Sequence, residues 1–192
     1  MDLSGKNIGF AMCGSFCTFK KAFEALKSLK DTNANIIPIM SAVSAFTNTR
    51  FGEASDFREK AEKITGNNII ITVHDAEPIG PKRLLDLLVI LPCTGNTLAK
   101  AAMGIADTSV TMAMKAHLRN ERPVLIGIST NDGLGTAAKN IGALMNRKNI
   151  YFIPFAQDDY IKTPNSLVAD FDKLVPAAEA AMEGKQLQPV IG

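Results

Sequence analysis

The stretch LLVILPCTGNT, residues 87–97, decides the fold. Its first five residues are aliphatic without a polar break, and so short a run, bounded by a proline, reads as a strand buried on both faces. Such strands sit at the centre of parallel sheets that carry helices on either side. Pro92 is expected to stop the strand, and Thr94, Asn96 and Thr97 then offer polar groups at the entrance of a helix running to Met103.

Outward from this unit the pattern repeats. Residues 6–12 form an apolar run that closes on Gly14-Ser15 and leads into Phe16, Phe19, Phe23 and Leu26, spaced as one face of a helix. Residues 35–40 read as a second strand ending in Ser41, and a charged helix over 55–64 closes at Gly66. Residues 69–73 are expected as a third strand ahead of the central one. Downstream, a helix over 107–119 precedes a β-branched strand at 124–129, which Asn131-Asp132-Gly133 breaks. A helix over 135–148 and a short strand at 150–153 follow. Leu167, Phe171, Leu174, Ala178 and Met182 then share one helical stripe despite Pro176. Strands alternating with helices predict a mostly parallel sheet covered on both faces, a doubly wound three-layer α/β sandwich of Rossmann-like type.

The 192 residues, 46% hydrophobic and 21% charged, suffice for one substantial core and are expected to form one domain over 1–192. A net charge of +2 leaves no field to hold a nucleic acid, and no apolar stretch approaches bilayer length, so the chain reads as soluble and cytoplasmic. Three cysteines and two histidines give no metal-ligand spacing; Cys13 and Cys17 read as buried free thiols.

In sheets of this kind ligands gather beyond the carboxyl ends of the strands. The residues there are small and polar: Gly14 and Ser15 after the first strand, Ser41 after the second, Pro92, Thr94, Asn96 and Thr97 after the central one, Ser129 and Asn131 after the next. Hydroxyls, amides and free backbone N–H groups at helix starts suit a phosphate. Neither a GxGxxG fingerprint nor a Walker A sequence is present, which excludes a dinucleotide or nucleoside triphosphate and leaves a monophosphate. His74 is available for proton transfer but reads as an ordinary strand-end residue, and His117, among Met112, Met114 and Lys115, reads as packing or surface. Met112, Met114 and Met145 are core or protomer-contact residues.

The segment PCTGNTLAKAAMGIAD (92–107) resembles the flavin-binding loop and helix of the flavoprotein superfamily that contains flavin prenyltransferases and cysteine decarboxylases, and RPVLIGISTND (122–132) and IPFAQDDYIKTPNSLVAD (153–170) continue the likeness in order. The chain departs from both activities. Pro78 stands nearest the position of the decarboxylase histidine, and Ser129-Thr130 replace the prenyltransferase Arg-Glu pair. The stretches NTRFGEA (48–54), AEPIGPK (76–82), RNERPVLIGISTNDGLG (119–135) and NIYFIPFAQDD (149–159) are similar instead to the B subunits of dipicolinate synthases. That resemblance implies a two-component enzyme of sporulating bacteria, with FMN a possible ligand of this chain. It implies NADP on the partner, the A subunit, and homo-oligomers such as trimers. A dicarboxylate substrate calls for cations, so Arg50, Lys82 and Arg119 are candidates, Arg50 foremost. Asp158, Asp159 and Tyr160 are candidate acid, base or hydroxyl groups.

Overall fold

The computed structural model describes residues 2–192. Its centre is three parallel strands, β1 (Asn7–Met12), β3 (Leu87–Cys93) and β4 (Val124–Thr130), with β2 (Asn35–Met40) beyond β1. Every residue of β3 is buried, as the aliphatic run requires. The sheet order is β2-β1-β3-β4-β7-β6, in which β7 (Leu167–Ala169) and β6 (Phe155–Gln157) are antiparallel additions, while β5 (Ile150–Phe152) pairs in parallel with the first half of β4.

Helices α1 (Phe19–Lys30), α3 (Ala54–Thr65) and α8 (Leu174–Met182) pack together on one face, and α5 (Gly95–Met103), α6 (Ser109–Leu118) and α7 (Ala138–Met145) on the other. The doubly wound α/β plan is therefore the observed one. Phe19 and Phe23 of α1 meet Phe57 of α3, with the Phe19 and Phe57 centroids 4.9 Å apart, so the phenylalanine spacing read in the sequence is the seam between two helices. A single cluster of buried apolar side chains runs from Leu3 to Ala181. No helix among the described residues is long and apolar enough to cross a membrane.

Four local readings are corrected. Residues 69–73 do not form a strand: Ile70 makes one isolated bridge to Ile39, and Thr72 then caps a short helix, α4 (Val73–Ala76), by accepting the Asp75 N–H. Pro92 does not end β3 but lies within it, after a cis peptide bond, and pairing with β4 shifts register between Ile90 and Cys93. Lacking an N–H it cannot continue the ladder, yet its carbonyl still accepts from Cys13 N–H at 3.1 Å. The closing stripe divides into β7, a 3-10 turn at Phe171–Lys173 and α8. Pro176 is tolerated because it occupies the first turn of α8, where backbone N–H groups have no intrahelical acceptor. Cys17, expected buried, is exposed; Cys13 and Cys93 are the buried thiols.

His117 of α6 is 1% exposed, with Nε2 2.9 Å from the Pro123 carbonyl and Nδ1 without a partner. Burial pushes its pKa down to about 4, so the folded ring stays neutral where the unfolded one, near 6.5, takes up a proton. Between these values the unfolded state binds more protons, and stability falls as pH falls. The expected loss between pH 6.5 and 4 is on the order of 3 kcal/mol. His117→Gln, which keeps a donor for Pro123, is expected to remove that component from denaturant-unfolding curves recorded across the same pH range.

Candidate functional site

Beyond the carboxyl ends of β1, β3 and β4 lies a cavity of about 940 Å³. Its size falls within the range of small-molecule and cofactor sites. Gly14, Ser15, Thr94, Asn96, Ser129 and Asn131 all line it, together with Arg50. The turn after β1 reaches across to β4: Ser15 Oγ lies 2.8 Å from Ser129 Oγ, and Thr18 Oγ1 is 3.3 Å from each of them. Three hydroxyls from two strand ends thus meet at one point on the wall. The rest of the lining alternates apolar surface (Phe16, Phe51, Ala99, Ala137, Val168) with polar groups.

The other expected residues are placed elsewhere. Ser41 is buried and caps the short helix α2 (Ala42–Phe46), accepting the Ser44 N–H and bonding the Ser44 hydroxyl at 2.9 Å. Thr97 lies beneath the cavity floor, where Thr94 Oγ1 donates to Thr97 Oγ1 at 3.2 Å and Thr97 donates to Cys13 Sγ at 3.3 Å. The Cys93 thiol donates to the Thr94 carbonyl at 3.9 Å; the neighbouring Cys93, with Thr97 and the Thr94 N–H, holds the Cys13 thiol below its ordinary pKa, and the proximity of Cys13 together with burial pushes Cys93 up. Pro92 sits in this buried layer as well.

Lys82 is exposed on the turn that enters β3, at the amino ends of the strands and so at the opposite rim from the cavity. His74 is exposed on α4, and Arg119 is exposed at the end of α6. Tyr160 is 72% exposed on the loop between β6 and β7 and does not line the cavity, whereas Asp158, Thr163 and Ser166 of the same segment do.

Arg50 rides on a tight loop in which Thr49 and Gly52 exchange backbone bonds at 3.1 Å. Gly52 has φ +146°, and a Cβ there would come within 2.8 Å of the Phe57 ring, so only glycine closes this loop without displacing the α3 aromatic. The guanidinium lies 4.9 Å from the Phe51 ring centroid and has no ion-pair partner among the described residues. Asp132 is occupied by its own turn, accepting the Thr136 N–H at 3.2 Å.

Sequence reading missed Thr18, Asn140, Thr163 and Ser166 as lining residues, whereas Asp158, a candidate acid or base group, does line the cavity. Asn140 carried a signal: it falls on the buried stripe of α7 beside Ile141 and Leu144, where a polar residue needs a reason. Among the described residues no group of three or more His, Cys, Asp or Glu is arranged to hold a metal ion.

A doubly wound sheet with a hydroxyl- and amide-lined cavity at its strand ends is the plan of a nucleotide- or flavin-binding protein, and the family model described as Flavoprotein matches residues 1–172. Over 190 residues the chain is 47% identical to the B subunit of dipicolinate synthase from Bacillus subtilis (strain 168), covering 99% of this chain and 95% of that one. The crystal structure of the dipicolinate synthase B subunit from Bacillus halodurans C superposes with a TM-score of 0.92 at 44% identity, over 100% of this chain and 98% of that one. The FMN-dependent cysteine decarboxylase SpaF shares the fold with a TM-score of 0.69 at 23% identity, over 95% and 98% of the two chains. The chain belongs to the flavoprotein family, in the branch of the dipicolinate synthase B subunits.

The wall formed by β7 depends on close packing at Gly133. A Cβ there would lie 2.5 Å from Leu167 Cγ and 2.6 Å from Leu167 Cβ, with no room to yield at the latter. Gly133→Ala is expected to cost about 1–3 kcal/mol in urea unfolding through overpacking, and to raise protease sensitivity within 158–166.

Proposed function

We propose that this chain binds flavin mononucleotide in the strand-end cavity and serves as the B subunit of a dipicolinate synthase, working with a nicotinamide-binding A subunit. The observation that carries the reading is the meeting of Ser15, Thr18 and Ser129 at one wall of a cavity of about 940 Å³. Bonds between neutral hydroxyls contribute about 1 kcal/mol each, and phosphate oxygens accepting the same O–H groups would form bonds roughly twice as strong. Ser15 and Ser129 can redirect their O–H groups to such an anion, while Thr18 keeps its donation to the Ser15 carbonyl at 2.8 Å. Phe16, Phe51, Ala99 and Ala137 offer apolar surface to a flavin ring. A bound flavin would supply two-electron redox chemistry.

On this reading the substrate is a hydroxylated tetrahydrodipicolinate, which becomes aromatic by losing water and passing a hydride to NADP held by the partner. This chain lacks the dinucleotide fingerprint, which supports placing NADP there. Arg50, unpaired at the cavity wall, is the cation for one substrate carboxylate, and Asp158 is the candidate proton carrier. Lys82 and Tyr160 have no part in it. Exposed Met103 on α5 and Met145 on α7, helices that pack together, with exposed Ile105 just after α5, support self-assembly of the chain; the synthase reading places it in the cytoplasm of a sporulating cell.

A second reading, in which the pocket is vestigial and the chain holds or activates its partner, is favoured by the sparse chemistry of the lining: its ionisable residues among those described are Cys17, Arg50, Asp132 and Asp158, with no histidine or glutamate. Titration of purified protein with FMN separates the two. Stoichiometric binding that weakens by roughly tenfold in Ser129→Ala, as loss of a hydrogen bond to a charged group implies, is the expected result. In reconstitution with the nicotinamide-binding partner, Arg50→Ala is expected to raise KM with little change in kcat; unchanged kinetics in both variants would leave only the scaffold.

A further inference from the structure

Several polar side chains around the cavity are already satisfied. Ser15, Thr18 and Ser129 bond one another, Thr94 donates to Thr97, Thr130 Oγ1 accepts the Asp132 N–H, and Thr163 donates to the Asp159 carbonyl. Asn96, Asn131 and Thr136 make no side-chain bond among the described residues but are exposed, whereas Asn140 and Ser166 are buried. They are 8% and 6% exposed, both line the cavity, and neither the carboxamide nor the hydroxyl has a hydrogen-bond partner among the described residues. Both residues are more than nine-tenths buried, yet their polar atoms open onto the cavity rather than being sealed in the fold, so together they present an unengaged carboxamide and hydroxyl to whatever occupies it.

Their position separates them from the hydroxyl cluster. Ser15 and Thr18 approach β4 from the β1 side, whereas Asn140 belongs to α7 and Ser166 immediately precedes β7, on the far side of β4 in the strand order. The two segments are tied together by Leu134 N–H donating to the Asn165 carbonyl at 3.0 Å. On the same segment Asp158 has a side chain without a partner among the described residues, while its N–H bonds the Ser166 carbonyl at 3.4 Å.

We infer that Asn140 and Ser166 form a carboxylate subsite for a second ligand in the cavity, distinct from the hydroxyl cluster, and that Asp158 faces a protonated nitrogen or hydroxyl beside that carboxylate. The ligand class is a small cyclic imino or amino acid, and the assignment rests on the synthase reading above. A carboxamide N–H and a hydroxyl O–H donate to carboxylate oxygens without bringing a positive charge. The nearby Asp158 carboxylate disfavours a second phosphate, and it complements an N–H or O–H donor on the ligand.

The test uses the full-length protein and piperidine-2,6-dicarboxylate, a cyclic amino acid whose ring nitrogen carries a proton at neutral pH, as the probe, titrated calorimetrically with and without saturating FMN. Roughly tenfold weaker probe binding is expected in Asn140→Ala and Ser166→Ala, with FMN affinity within about twofold of the parent. Asn140→Leu is expected to lose the probe while leaving Tm unchanged, because the carboxamide makes no hydrogen bond to the fold among the described residues; a structural role would lower Tm instead. Probe affinity unchanged in both alanine variants, no probe binding to the parent, or parallel loss of probe and FMN would each overturn the subsite. Probe binding that persists while the parent fails to take up FMN would sink the flavin reading and leave the subsite standing.

Discussion

Parallel pairing of β1, β3 and β4 sets three carboxyl ends side by side, and the arrangement of the cavity follows from that. Because the strands run the same way, each must be followed by a turn and a crossover helix at the same rim. Gly14-Ser15, Thr94-Gly95-Asn96 and Ser129 are far apart in the chain but neighbours at that rim. The aliphatic strands keep the rim rigid: β3 is wholly buried and β4 is buried except at Thr130, its last residue.

Beneath the rim the polar groups are layered. The Thr94–Thr97–Cys13 chain of donors and the Cys93 thiol form a buried floor, while the Ser15–Thr18–Ser129 hydroxyls stand above it in the cavity wall. The floor anchors α5 to β1 through weak but satisfied bonds. The Ser15 and Ser129 hydroxyls above it can then exchange partners without disturbing the strands, since each trades one bond for another. The register shift near Pro92 falls on the β4 side of β3, while on the β1 side Cys13 N–H reaches the Pro92 carbonyl along the unshifted ladder.

Much of this was legible because it rests on local pattern. The runs at 35–40, 87–91 and 124–129 are apolar enough to fix strands within a residue or two, and the small polar residues after them had to lie at the strand ends. The errors share a physical cause, which is tertiary pairing of segments too short to show a period. Ile69 to Val73 is β-branched at every position, yet Thr72 caps α4 instead of extending a ladder. Three-residue strands β6 and β7 exist only because β4 offers Ser129 and Thr130 to pair with. Asn140 and Ser166 are distant in the chain, one inside a helix and one before a strand. Nothing in their local sequence places them at the same cavity; that is done by the antiparallel hairpin and the Leu134–Asn165 bond.

The hairpin also resolves a difficulty the parallel sheet creates for itself. Past β5 the far edge of β4 would present unpaired N–H and C=O groups beside the cavity, open to pairing with another chain. β7 covers that edge at Ser129 and Thr130, β6 covers β7, and the bridge from Ile191 to Phe155 covers β6 in turn. Each added strand is only three residues long, so side-chain packing, including Leu167 close against Gly133, supplements a short ladder. The same packing that closes the edge therefore sets where Asp158, Thr163 and Ser166 stand along the cavity wall. A change at that contact acts on edge protection and on the wall together.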